Sequence, residues 1–403
     1  ALTTLSFDIA GLEVWLPLVV GACVVVMDRA AAADGALLGK RMESDGVTVL
    51  QATPMTWRLL LAGGWEGKAD LRAWCGGEAL PADLAGQLRT RVAELWNLYG
   101  PTEATIWTST HAVQDATANT VVPIGRPITG TSAWVLDDRL RPAAWGAVGE
   151  LCLGGAGIAR GYRDRPALTA SRFVPDPFGA PGSRLYRTGD RARLRADGSL
   201  EFLGRDDDQV KVRGFRIELG EIESVLRSLP GVSGAAAMVW GEDPADQRLV
   251  AYVVPEDGID VDADVLRSAA QRFLPDHMVP SQLDLLAELP LTPNRKLDRA
   301  KLPAPGRAAA EVAVAPRDAF EEIVAEVWCE VLGVGEVSVL SNFFALGGHS
   351  LLATRIVGRL GQRFDLDVPV RLVFEAPTVE QQARRLEAAL LASLGADSVE
   401  ESA

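Results

Sequence analysis

Leu346-Gly347-Gly348-His349-Ser350-Leu351 sets a serine after two glycines and a histidine and before an apolar helical pattern. A serine at that place caps a helix, because its hydroxyl accepts from the free N–H groups of the first turn. The same geometry exposes the hydroxyl at a helix N-terminus, where the dipole and unpaired N–H groups favour a phosphodiester. Downstream, Leu352, Ile356 and Leu360 recur at i, i+4 and i+8, and upstream so do Ile323, Val327 and Val331. Thr378 with Gln381 forms a capping-box pattern that opens a further helix burying Val379, Ala383, Leu386 and Leu390. Three short amphipathic helices with long connections predict a small bundle over 316–390, followed by a flexible tail over 391–403.

Upstream, Pro303–Pro316 is rich in Ala, Pro and Gly and reads as a linker, bounded here as 304–315. Before it, 206–303 reads as a small α+β unit. Strands fall at Val210–Arg213 and Leu249–Val254, and helices at Glu218–Ser228 and Asp264–Phe273. Residues 1–205 alternate strand-like runs (Cys23–Met27, Val47–Gln51, Arg72–Cys75, Leu95–Tyr99) with helical stretches such as Pro81–Glu94. That alternation implies an α/β domain with a buried sheet. From Ile124 the texture turns to strands with Gly and Pro turns: Ala133–Leu136, Glu150–Leu153, then Arg191–Arg195 and Leu200–Leu203 around an Asp197-Gly198 hairpin signal.

Composition bounds the function. The chain has 403 residues, 48% of them hydrophobic, and a net charge of −14. The length predicts several domains. So acidic a surface repels phosphate backbones and anionic lipid, so neither nucleic acid nor membrane is an expected partner. The apolar run Val14–Met27 contains Pro17 and Gly21 and is shorter than the roughly 20 residues that cross a bilayer. Cys23, Cys75, Cys152 and Cys329 are scattered, with no CxxC pair, as expected of reduced thiols in a cytoplasmic protein.

Phe343-Phe344-x-Leu346-Gly347-Gly348-His349-Ser350-Leu351 resembles the phosphopantetheine site of peptidyl carrier domains of nonribosomal peptide synthetases. Ser350 would then bear a covalent 4′-phosphopantetheine arm, installed by a phosphopantetheinyl transferase. An ordered series upstream resembles the adenylation domains of the same synthetases. It runs through Tyr99-Gly100-Pro101-Thr102-Glu103, Gly149-Glu150-Leu151, Gly155–Tyr162, Tyr186-Arg187-Thr188-Gly189-Asp190, Gly204–Gly214, Arg216-Ile217-Glu218 and Pro293–Asp298. The implied fold is a multidomain one: an α/β adenylate-forming (ANL-type) large subdomain remnant, a small mobile α+β C-terminal subdomain, and a four-helix-bundle-like acyl carrier domain.

The resemblance also implies roles. Joining a carboxylate to ATP requires charge neutralisation between two anions. Lys296 would bridge the substrate carboxylate and the α-phosphate as a movable point charge. Glu103 would help hold Mg²⁺ on ATP. Tyr99 would stack on adenine, with Gly77 and Glu78 along its edge and Gly100 and Thr102 in the same turn. Asp190 would bind the ribose hydroxyls, with Arg205 beside them, and Asp207 would be the hinge of the small subdomain. His277 stands where a Tyr is usual. The family's Thr/Ser/Gly-rich phosphate loop is not among the 403 residues, and Gly63, Gly64 and Gly67 do not supply its pattern. The polypeptide by itself is therefore expected to make no aminoacyl-adenylate.

The family's pocket positions map onto Asp8, Ile9, Leu12, Gln51, Trp74, Gly76, Leu98, Ile106, Trp107 and Lys296. Asp8 would take the substrate α-amino group and Lys296 its carboxylate. Two indoles leave little space for a side chain, and Gln51 offers the neutral polar contact. The set resembles that of glycine-activating domains, with alanine the next candidate. An aryl-acid or acyl-CoA ligase shares the fold but has no need of Asp8. A fragment competent only as a carrier or docking module is the other alternative. Amino acid, ATP, the transferase and neighbouring condensation or thioesterase domains are the expected partners, and an antibiotic-type secondary metabolite the expected product class.

Overall fold

The computed structural model describes residues 1–28, 31–32, 34–114, 121–205, 207, 209–212, 215–241, 247–256, 258–259, 261–292, 297–305, 314–343, 346, 348, 350–364, 366, 368–369 and 371–400. The chain divides into two compact units, Ala1–Asp208 and Gln209–Ala403.

In the first unit, α1 (Ile9–Val19), α2 (Gly35–Ser44), α3 (Pro54–Ala62) and α4 (Ala82–Arg89) accompany a five-stranded sheet of order β1-β2-β3-β4-β5. Strands β1 (Val49–Ala52), β2 (Lys68–Gly76) and β3 (Val92–Tyr99) run parallel, while β4 (Ser109–Ala112) and β5 (Arg126–Pro127) add antiparallel edges. The helices start where side chains cap them. Asp34 accepts from Ala36 N–H at 2.9 Å and Leu37 N–H at 3.0 Å, and Thr53 precedes Pro54 at the first helical position of α3. Leu38, Met42, Trp57, Leu60, Leu71, Leu84 and Leu88 are fully buried between helices and sheet.

Two local expectations fail here. Cys23–Met27 forms no strand; it bonds instead to the first residue, with Ala1 N donating to Val25 O at 2.6 Å and Met27 N–H to Ala1 O at 3.0 Å. The helix predicted over Pro81–Glu94 stops at Arg89, because Val92 already enters the buried sheet, which outweighs continued helical propensity.

An antiparallel sheet of order β10-β9-β7-β6 completes the unit: β6 (Thr131–Leu136), β7 (Val148–Gly155), β9 (Arg184–Leu194) and β10 (Leu200–Arg205), with β8 (Phe173–Pro175) on β9 after α5 (Pro166–Arg172). The Asp197-Gly198 hairpin forms, pairing Leu200 with Leu194, and Gly198 takes the left-handed φ of 80° that the turn demands.

In the second unit, the hairpin β11 (Gln209–Val212)–β12 (Phe215–Glu218) leads into α6 (Leu219–Arg227). A three-stranded sheet, β13 (Val232–Trp240), β14 (Arg248–Pro255) and β15 (Gln282–Leu285), then packs with α6 and α7 (Ala263–Ala270) around Ile222, Leu226, Ala251 and Val253. His277 stacks its ring on Phe215 at 4.3 Å and 14°, a contact a tyrosine ring could equally make.

The last part of this unit comprises α8 (Ala319–Leu332), α9 (Ser350–Phe364), the short α10 (Arg371–Glu375) and α11 (Val379–Glu400) around Trp328, Phe343, Ile356, Leu360 and Val373. Asp318 caps α8 by accepting from Glu321 N–H at 2.9 Å, and Gly333 closes it with φ 66°. Thr378 caps α11 through Gln381 N–H at 3.3 Å. Helix α11 runs on to Glu400, where the sequence predicts a flexible tail from 391. Its Ala-, Leu- and Glu-rich composition is that of a strong helix former.

Candidate active site and carrier loop

Asp190 in β9 is the hub of the first unit. It is 5% exposed; its Oδ1 accepts from Arg205 Nη1 and its Oδ2 from the Tyr99 phenol. The turn before it is fixed by four bonds. Thr188 Oγ1 donates to Leu151 O at 2.7 Å and accepts from Asp190 N–H at 2.9 Å. Glu150, on β7, accepts from Arg187 Nη2 at 2.6 Å and from Gly189 N–H at 3.1 Å. The Arg187 pair thus holds the strand that presents Asp190. Arg205 reaches past Asp190 to Thr188 O at 3.0 Å and grips Asp207 at 2.7 and 2.8 Å. Asp207 also accepts from Arg172 at 3.0 Å.

Tyr99 is nearly buried beside Phe202. Burial first, and the Asp190 charge second, push its phenol well above the ordinary tyrosine range, so it stays a donor. Each Asp190 oxygen spends one lone pair on these partners and keeps another for an incoming hydroxyl. Glu103, in the 3₁₀ turn Thr102–Ala104 after Tyr99-Gly100, is 7% exposed and accepts from the Tyr162 phenol at 2.6 Å. Tyr162 lies 3.3 Å from the Tyr186 hydroxyl. Gly77 and Glu78 follow β2 directly. Among the described residues no group of three His, Cys, Asp or Glu side chains is placed to hold a metal ion.

Next to this lies an apolar cluster of Ile9, Leu98 and Trp107 with Phe7, Leu12, Trp74, Trp96 and Ile106 packed on it. It gathers six of the mapped pocket positions. Asp8 occupies the N-cap position of α1, with no side-chain hydrogen bond to the helix. The Trp107 indole lies so close to Gly76 that a Cβ there would collide with the ring. Gln51 does not present a free polar group to this space, contrary to the sequence reading. Its Oε1 accepts from Trp107 Nε1–H at 2.8 Å, and its Nε2 donates to Ile9 O and to Glu13 Oε1, each at 3.0 Å. An amide buried this deeply has to be satisfied by protein, and Gln51 is 5% exposed. Lys296 lies outside the described residues.

The carrier loop is built on Phe343. Phe343 N–H donates to Pro377 O at 2.7 Å and Gly348 N–H to Phe343 O at 2.9 Å, tying the loop before α9 to the start of α11. A Cβ on Gly348 would meet the Phe343 ring at 2.5 Å, so only glycine lets the backbone lie on that ring. Ser350 is the first residue of α9.

A family profile described as AMP-binding enzyme matches residues 1–163, one described as AMP-binding enzyme C-terminal domain matches 221–296, and one described as phosphopantetheine attachment site matches 322–386. The chain is an adenylation domain followed by a carrier domain. It is 46% identical over 389 residues to a dimodular nonribosomal peptide synthase of Bacillus subtilis (strain 168), covering 96% of this chain and 16% of that protein. A solved nonribosomal peptide synthetase protein containing adenylation and carrier domains, bound to a vinylsulfonamide inhibitor, superimposes with a TM-score of 0.78 at 31% identity, covering 96% of this chain and 65% of that one. A four-domain synthetase solved with AMP and glycine is 42% identical with a TM-score of 0.51, over 96% of this chain and 29% of that one. The chain thus spans well under two thirds of the curated relative's length.

Arg172 and Glu13 are not singled out in the sequence, while Tyr162, Tyr186 and Thr188 figure there only as members of motifs; their partners lie at long sequence separations. Among the described residues no helix is long and apolar enough to cross a membrane.

Proposed function

We propose that this chain activates glycine as its adenylate with ATP and transfers it to an arm on Ser350. The observation that carries the choice of glycine is the Trp107 indole, seated against Gly76 and held by Gln51, which fills the space a substrate side chain would need. The glycine bound in the 42% identical synthetase structure supports it.

In this reading Asp8 receives the substrate ammonium, and the ribose hydroxyls donate to the free lone pairs of Asp190. Tyr99 and Arg205 hold that carboxylate in one orientation. Adenine stacks at Tyr99 along Gly77, Glu78, Gly100 and Thr102. Glu103, oriented by Tyr162, holds Mg²⁺ on the phosphates. Lys296 neutralises the repulsion as a substrate carboxylate oxygen forms a bond to the α-phosphorus and pyrophosphate departs. When attached, the arm supplies the thiol that accepts the glycyl group as AMP leaves. Asp207 is the hinge, and the domains divide as 1–205, 206–303 and 316–390.

The 403 residues contain no Thr/Ser-Gly-rich phosphate loop. Adenylate formation by this polypeptide alone is therefore not expected, and it should recover when such a segment is joined upstream. A phosphopantetheinyl transferase and neighbouring synthetase domains are its proposed partners, in the cytoplasm. The test uses that joined protein, treated with CoA and a transferase, then with ATP and labelled glycine. Label on the unmodified protein and none on Ser350→Ala is expected. Preferential loading of leucine or phenylalanine would overturn the glycine reading.

A further inference from the structure

We infer that Glu13, which is not among the mapped pocket positions, sets the pocket's selectivity by fixing which way the Gln51 amide points. The inference rests on the reading of this cluster as the amino-acid pocket. Glu13 sits on α1 one residue after Leu12. Its carboxylate receives four donors: Leu2 N–H at 2.6 Å and Thr3 N–H at 3.0 Å on Oε2, and Thr3 Oγ1–H at 2.6 Å and Gln51 Nε2–H at 3.0 Å on Oε1. A carboxylate offers about four acceptor sites, so this one is fully used and has a single orientation.

Gln51 is the intermediary. Its amide has two acceptors on one side, Ile9 O and Glu13 Oε1, and one donor on the other, Trp107 Nε1–H. Turning the amide over would set its oxygen against two acceptors and its NH₂ against an indole N–H. Glu13 supplies the charged half of that preference. With Glu13 removed, only Ile9 O and the Trp107 N–H oppose the flip; when the amide turns, the Trp107 N–H loses its buried acceptor and the ring is no longer pinned against Gly76. Glu13 is therefore a positioning residue: it never meets the substrate, yet it determines where the wall formed by Trp107 stands.

The experiment titrates the full chain with non-hydrolysable glycyl- and alanyl-sulfamoyl adenosine and reads the ratio of their dissociation constants. That ratio does not depend on how much of a variant is folded. Wild type prefers the glycyl analogue, and Glu13→Leu lowers the preference about tenfold, the size of a hydrogen bond to a charged group. Glu13→Gln keeps an oxygen for Gln51 but turns N–H groups on the Leu2 and Thr3 amides. It loses less, and it carries the test if Glu13→Leu does not fold. In a Gln51→Leu background, Glu13→Leu adds no further loss, because its effect passes through Gln51. A wild-type preference that both Glu13 variants leave intact, or a loss of the same size in the Gln51→Leu background, overturns the inference alone. A wild-type chain that binds neither analogue, or binds both equally, overturns the pocket reading and this inference with it.

Discussion

The Tyr99 phenol donates to the Asp190 carboxylate across 91 residues of sequence, joining the end of the parallel sheet to the middle of the antiparallel one. Because Tyr99 is the last residue of β3 and Asp190 lies in β9, one hydrogen bond both closes the core between the sheets and aims the carboxylate assigned to the ribose.

That bond has a pH signature. A tyrosine whose value is raised on folding contributes stability in full below its ordinary value of about 10, and loses it as pH rises through the raised value. Stability should fall above about pH 10 by up to about 1.4 kcal/mol per pH unit for this group. Cys75 and Cys152, the latter pushed up to about 12 by burial, also lose stability in alkali, with or without Tyr99. The comparison with Tyr99→Phe isolates the phenol. That variant is expected to be less stable near neutrality by about 1.5–3 kcal/mol and to decline less steeply in alkali. Urea unfolding across the alkaline range measures both, and an identical slope would remove Tyr99 as the cause.

Asp190→Asn leaves Arg205 still paired with Asp207 and so should spare folding more than nucleotide binding. Losing a charged acceptor for ribose hydroxyls is expected to weaken AMP binding at least about tenfold. Calorimetric titration with AMP checks it; unchanged affinity would remove Asp190 from the ribose.

Much of this architecture was legible because its signals are local. Short apolar runs marked β1 to β3, Asp197-Gly198 marked the hairpin, and Thr378 with Gln381 marked the start of α11. Cys23–Met27 misled because β-branched residues predict a strand only where a neighbouring strand exists to pair with. Helix α1 escaped notice because Trp15, Leu18 and Val19 are apolar yet exposed, so its two faces do not contrast. The role of Gln51 was hidden for another reason. Its partners lie 42, 38 and 56 residues away, and no local pattern announces that an amide in a pocket has already been claimed.

In the carrier domain, Ser350→Ala is expected to abolish arm attachment, read as the loss of one arm's mass. Gly348→Ala tests the loop in a different way. Its new methyl must displace the Phe343 ring or the backbone, at about 1–3 kcal/mol of overpacking. Attachment should then slow although Ser350 is present. Full-rate modification of Gly348→Ala would show that the loop's seat on Phe343 does not matter to the transferase.

The last prediction concerns what the pocket admits. Trp107 and Trp74 both belong to the cluster with Ile9, Leu98 and Ile106, but only Trp107 has its ring against Gly76 and its N–H tied to Gln51. An indole buries about 150–250 Å², so Trp107→Ala opens room for several carbons. It should admit alanine and larger side chains, erasing a discrimination worth roughly 1–3 kcal/mol, or about 10- to 200-fold. Glycine should bind more weakly in the same variant, because the cavity leaves the remaining walls without contacts. Trp74→Ala should shift selectivity less, since its ring has no such bond holding it at the Gly76 wall. Dissociation constants for glycyl, alanyl, leucyl and phenylalanyl sulfamoyl adenosines in the three proteins give the comparison. If neither substitution admits a larger side chain, both rings are core packing, and the pocket lies elsewhere in the domain.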